Sequence, residues 1–186
     1  MEAMKLLLER ASAIKLQEPG PTAEQLDAML RAALRAPDHG RLRPWRFIVI
    51  SGEERARLGA LLADSLKKRE PGASPEMLER ERQKALRAPV ILVVATRITA
   101  GGKIPEVEQI VSAGAAAEHI MLAAQALGYG AMWRTGAPAY DALVKEGLGL
   151  QPTDAIIGII YIGTSPVAPR ESPRPGLEDF VTRWQG

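Results

Sequence analysis

The chain contains no cysteine and only two histidines, His39 and His119, eighty positions apart. The first absence excludes disulfides, thiolate nucleophiles, iron–sulfur clusters and cysteine-ligated zinc. The second argues against a two- or three-histidine metal site within one subunit, so no metal is expected. Long apolar runs are also missing. The longest, such as Val90 to Ala95, are far too short to cross a bilayer, and the opening MEAMKLLLER lacks the features of a signal peptide. No membrane association and a cytoplasmic location are the expectation. Charge of one sign is not in excess either: 24 basic and 22 acidic residues leave a formal net charge of +2. So weak a field gives no reason to expect a nucleic-acid partner.

Apolar residues make up 46% of the 186 positions, enough for a single domain, 1–186, with a buried core. A first helix is predicted from Ala3 to about Arg10. Thr22 and Gln25 form a capping-box pair that opens a second, with Leu26, Met29, Leu30, Ala33 and Leu34 on one face and Pro37 closing it. Trp45 to Ile50 reads as a strand, Glu53 to about Arg69 as an amphipathic helix, and Ser74-Pro75 as a cap and first-turn proline restarting a helix. Val90 to Ala95 is apolar throughout, the pattern of a strand covered on both faces. A Gly-rich loop at Gly101 and Gly102 leads to a long helix from Pro105 to Leu127. Then come a short strand at Ala131 to Trp133, a short helix at Tyr140 to Glu146, and an interior strand at Asp154 to Gly163. The proline-rich TSPVAPRESPRPG tail is expected to be extended and to wrap over a surface. This order implies helices packed on a sheet of four or more strands.

The familiar catalytic signatures are missing. GYGAMW has glycines at dinucleotide-binding spacing but follows a helix rather than a strand, and there is neither a Walker A segment nor a G-x-S-x-G elbow. Three other stretches combine groups that could hold an anionic, planar ligand. Arg10, Ala11 and Ser12, with Lys15 close behind, put an arginine fork, a hydroxyl and free N–H groups at a helix end. That is a competent phosphate cradle, and equally a helix end with solvated cations. Arg35 and His39 flank a proline-closed turn that leads through Arg43-Pro44-Trp45 into a strand; they could face an anion, while Arg41, Arg43 and Arg46 could equally form a solvated basic face or a modest nucleic-acid patch. Trp133, Arg134 and Thr135 end a short strand, where small and polar residues let N–H groups approach a flat ligand; Trp133 could shield such a ligand or belong to the core.

Together RASAIK at 10–15, RAPDHGRLRPWRFIVI at 35–50 and GYGAMWRTGA at 128–137 resemble the nitroreductase family, and especially its short bacterial NAD(P)H nitroreductase subgroup. The resemblance runs over nearly the whole chain. It implies an α+β, three-layer fold with a central mixed or antiparallel sheet flanked by helices, and FMN bound at the interface of a homodimer. It also implies an oxidoreductase that passes hydride from NAD(P)H to nitroaromatic, quinone or similar small-molecule acceptors by a ping-pong mechanism, with the flavin N5 rather than a side chain carrying the chemistry. Other flavin chemistry on the same scaffold, or a non-enzymatic flavin carrier, are the alternatives. Carried over by resemblance, Arg10, Ala11 and Ser12 bind FMN, Arg35 and His39 reach the flavin from the partner subunit, and Trp133, Arg134 and Thr135 lie along the ring. A nicotinamide-nucleotide segment corresponds to Ala123, Ala124, Gln125, Ala126, Leu127 and Gly128, although AAQALG at the end of an apolar helix also reads as packed core. The chain departs from the family in having Ala11 and Ile14 where many relatives carry basic residues, with Lys15 displaced by one. Arg170 and Arg174 lie where relatives often place a phosphate-binding arginine.

Overall fold

A computed structural model of the chain describes residues 2–168 and 174–186. Four strands form one sheet: β1 (Trp45–Ser51), β2 (Val90–Thr96), β3 (Gly130–Arg134) and β4 (Ala155–Gly163). Their spatial order is β1-β2-β4-β3, and every neighbouring pair is antiparallel. Helices are α1 (Ala3–Glu9), α2 (Ala23–Ala33), α3 (Glu54–Arg69), α4 (Pro75–Gln83), α5 (Glu106–Ala126), α6 (Ala137–Tyr140) and α7 (Ala142–Gly147).

Strand β2 explains the layering. All seven of its residues are buried, and alternate side chains serve opposite faces. Val90, Leu92 and Val94 pack with Met29 and Ala33 of α2 and with Ala113, Ala116, Ile120 and Ala124 of α5. Ile91, Val93 and Ala95 pack on the other face with Leu58 and Leu62 of α3 and Val144 of α7. The sheet is therefore a middle layer between two helical layers, which is why β2 shows no polar alternation. The small side chains of α5 let this 21-residue helix lie close against the sheet.

Local chemistry sets the boundaries. Thr22 and Gln25 make the reciprocal capping box at α2, and the Ser74 side chain accepts from the Met77 N–H at α4. The expected single helix over Tyr140–Glu146 is instead two short segments, α6 and α7. The chain breaks between them because Asp141 takes an extended conformation and its carboxylate caps the Leu143 and Val144 N–H groups. A bulge in β4 leaves Ile157 between the residues paired with Val94 and Ala95. The described part of the tail, residues 174–186, is exposed and contains neither helix nor strand. No helix among the described residues is long and apolar enough to cross a membrane.

Candidate functional site

A cleft of ≈ 1150 Å³ opens where α1 ends, between the segment from Arg10 to Lys15, the turn after α5 and the chain leaving β4. The segment is fixed against the sheet edge by the Ala13 N–H, which donates to the Ala131 carbonyl at 2.9 Å. Farther along, Gln17 and Thr164 exchange two 2.9 Å backbone bonds. Ala13 is buried as a result, while Ser12 and Lys15 stay exposed on the cleft wall.

Arg10 dominates this wall. Its Nε meets Glu118 Oε1 of α5 at 3.0 Å, and its carbonyl accepts a 2.8 Å bond from Arg174 Nη2. Its Nη1 is buried yet has no hydrogen-bond partner among the described residues. A buried guanidinium N–H without an acceptor is costly. Arg174, Lys15 and Arg10 bring three positive charges to the cleft, and Glu9 on its wall and nearby Glu118 offset two of them.

Of the proposed nucleotide segment 123–128, only Gln125 and Gly128 line this cleft. Ala124 is fully buried in the core and Ala123 packs against it, while Ala126 and Leu127 point to solvent. Part of AAQALG is thus core and part is cleft wall.

The other two sequence blocks lie elsewhere on the subunit. Arg35 is exposed just beyond α2 and makes no ion pair among the described residues. His39 sits in a 3-10 turn and lines a separate recess of ≈ 300 Å³ with Pro37, Val107, Glu108 and Val111. Its Nδ1 pairs with the Glu108 carboxylate. Trp133 lies on β3, four residues before whose end Gly130 touches the cleft; at about 3.3 Å per step that places Arg134 roughly 13 Å along the strand. The Trp133 indole N–H donates to the Ile157 carbonyl at 3.1 Å, the acceptor the β4 bulge leaves outside the ladder. Its ring packs on the core, whereas Arg134 and Thr135 are exposed. One subunit therefore gathers Arg10, Ala11, Ser12, Lys15, Gln125, Gly128 and Arg174, and does not bring Arg35, His39 or Trp133–Thr135 into that cleft. Arg170 lies outside the described residues.

Sequence reasoning missed Glu118, which has no motif around it and becomes relevant only because α5 packs beside Arg10. Glu108 was missed for the same reason.

The profile of the Nitroreductase family matches residues 8–164, most of the chain, including the Arg10–Lys15 side of the cleft and the turn after α5. The chain belongs to the nitroreductase family. An Escherichia coli protein named "Putative NAD(P)H nitroreductase YdjA" is 41% identical over 183 residues, covering 98% of this chain and 99% of that one. Among solved structures, a nitroreductase-like family protein from Bacillus cereus superposes with a TM-score of 0.87 at 25% identity, covering 100% of this chain and 97% of the other. A Desulfovibrio desulfuricans nitroreductase solved in complex with FMN has the same fold, with a TM-score of 0.74 at 23% identity and coverage of 98% and 97%. The nitroreductase-like α+β fold expected from the sequence is thus the fold observed, with its sheet wholly antiparallel.

Proposed function

We propose that this nitroreductase-family protein binds FMN in the Arg10 cleft and uses it to oxidise NAD(P)H at the expense of a nitroaromatic or quinone acceptor. The observation that carries the reading is the cleft wall, which sets the Arg10, Lys15 and Arg174 cations beside the Ser12 hydroxyl. A phosphate suits the charge of Arg10, Arg174 and Lys15 and the Ser12 hydroxyl alongside. The residues present thus fit the group. The relatives point the same way, one named for NAD(P)H nitroreductase activity and another holding FMN.

When bound, FMN supplies reversible hydride chemistry at its ring, so the protein has no nucleophile or metal to provide. Arg10, Ser12 and Arg174 hold the phosphate end. Gln125 and Gly128 bound the same cleft and are the part of the 123–128 segment able to meet a reduced nicotinamide nucleotide. Nucleotide and acceptor use one face in turn, which gives ping-pong kinetics.

The ring end requires a second copy of the chain. Helix α1 buries none of its own residues, and Met4, Leu7 and Leu8 on it are exposed. Helix α5 turns a second apolar stripe outward through Val107, Ile110 and Val111, with Val107 62% and Val111 64% exposed. The tail adds Leu177, Phe180 and Trp184, the last 91% exposed. So much apolar surface suits a homodimer. In that dimer, Arg35 and His39 of one subunit reach the ring held by the other, and Trp133, Arg134 and Thr135 line its edge.

Titration of the purified protein with FMN and with riboflavin, followed by flavin fluorescence, tests the assignment. FMN binding one per chain and far more tightly than riboflavin is expected. Equal affinity for the two would remove the phosphate from the Arg10 cleft.

A further inference from the structure

We propose that Glu108 is a positioning residue for His39, fixing the imidazole so that Nε2 is the nitrogen left available to the flavin. The inference rests on the FMN reading above and adds to it a residue that none of the three sequence blocks contains.

The pairing itself dictates the roles. The Glu108 carboxylate, when ionised, can only accept, so the His39 Nδ1 with which it pairs must donate. Nδ1–H is therefore occupied whether the ring is neutral or charged, and Nε2 alone remains for another partner.

The surroundings hold this turn in one shape. Gly40, Arg41 and Arg43 all have positive φ, at 68°, 55° and 49°, an arrangement non-glycine residues adopt only when other contacts enforce it. Those contacts come mainly from the start of α5. Ser112 donates from Oγ to the Pro37 carbonyl at 2.6 Å and accepts from the Trp45 indole N–H at 2.9 Å. Asp38 Oδ2 accepts from the Arg43 N–H at 2.8 Å. A Cβ on Gly40 would lie 2.3 Å from Ile104 Cδ1, so a side chain there would have to push the Ile104 methyl aside as well as adopt the positive φ. Gln109, beside Glu108 and buried, holds the Ile104 loop in turn: its Oε1 accepts from Thr99 N–H at 2.9 Å, and its Nε2 donates to the Thr99 and Ile104 carbonyls.

Stability is a poor account of the pair. In the single subunit the His39 and Glu108 side chains are 64% and 43% exposed, and an ion pair so open to water contributes little to folding of that subunit. What the pair does is choose between two ring nitrogens at the mouth of an apolar recess on the face left uncovered in the single subunit.

The test combines nitrogen NMR of the histidine rings with flavin titration, in wild type and in Glu108→Ala, Glu108→Gln, His39→Ala and the His39→Ala/Glu108→Ala double variant. Neutral His39 is expected to carry its proton on Nδ1 in wild type and in Glu108→Gln, whose amide oxygen still accepts, and to lose that preference in Glu108→Ala. Glu108→Ala is expected to weaken FMN and riboflavin alike by about three- to tenfold, since the contact is with the ring and not the phosphate. In the His39→Ala background the same change should have no further effect. A wild-type ring protonated on Nε2, or a Glu108→Ala loss of equal size with and without His39, overturns the proposal. Wild-type protein that binds no flavin overturns the FMN reading instead, and the tautomer still decides whether Glu108 governs His39.

Discussion

Arg10 and Glu118 meet through Nε and Oε1 at 3.0 Å, and the guanidinium so held keeps Nη1 buried without an acceptor. One edge of the fork is occupied by a neighbouring helix, which fixes the guanidinium on the cleft wall. Arg10→Ala should therefore weaken FMN binding by about 1.5–3 kcal/mol, about ten- to a hundredfold in Kd, because a charge-assisted partner of the phosphate is lost. Riboflavin affinity should hardly move. Calorimetric titration of both flavins checks the contrast, and a parallel loss for the two would mean that Arg10 serves the ring or the fold.

The outward stripe of α5 predicts the assembly. Val111→Asp places a charge in the middle of the Val107–Ile110–Val111 patch and should convert a dimer to monomers in sedimentation velocity, with flavin affinity falling as well. A wild-type protein that sediments as a monomer at all concentrations would remove the partner subunit from the site.

Asp141 makes a prediction about acid stability. Burial disfavours its charged form, but the Ser65 hydroxyl, the Leu143 and Val144 N–H groups and Arg69 outweigh this and hold its carboxyl below the ordinary value. Arg69 Nε lies 3.2 Å from Oδ2. A group whose pKa is lowered on folding contributes stability above its unfolded pKa, about 3.9, and loses it as the pH falls through the folded value. Asp141→Asn should therefore be less stable at neutral pH, by about 1–2 kcal/mol for the weakened cap and lost ion pair. The difference from wild type should shrink as the pH is taken below about 4. Urea unfolding at a series of pH values measures both. A constant difference across the series would show that the carboxylate does not titrate with folding.

Gly158 is required by the indole it touches. A Cβ there would lie 2.3 Å from Trp133 Nε1 and 2.8 Å from Cδ1. Gly158→Ala must displace Trp133 from its bond to Ile157, at an overpacking cost of about 1–3 kcal/mol. Thermal unfolding and tryptophan fluorescence should both shift. Unchanged values in both would mean the ring is free to move aside.

How much of this was legible in the sequence depended on range. The continuous apolar runs of β2 and β4, the Thr22–Gln25 box and the Ser74-Pro75 start are local signals, and each appears where expected. The break at Asp141 was not, because a carboxylate that caps the next two N–H groups looks in sequence like any polar residue within a helix. Strand order was also hidden, since β2 pairs with β4 across three intervening helices and a strand and nothing local specifies the partner. In the site, the Arg10 block was recognisable by type and spacing. The approach of Arg174 to Arg10, 164 positions away, depends on where the tail crosses the cleft, and Glu118 and Glu108 matter only through the packing of α5.

The most direct test of the whole account is the visible spectrum of the FMN-loaded protein during anaerobic addition of NADH or NADPH, followed by a nitroaromatic or a quinone. The oxidised flavin band is expected to bleach with at least one nucleotide and to return when the acceptor is added. A flavin band that neither nucleotide bleaches would contradict it.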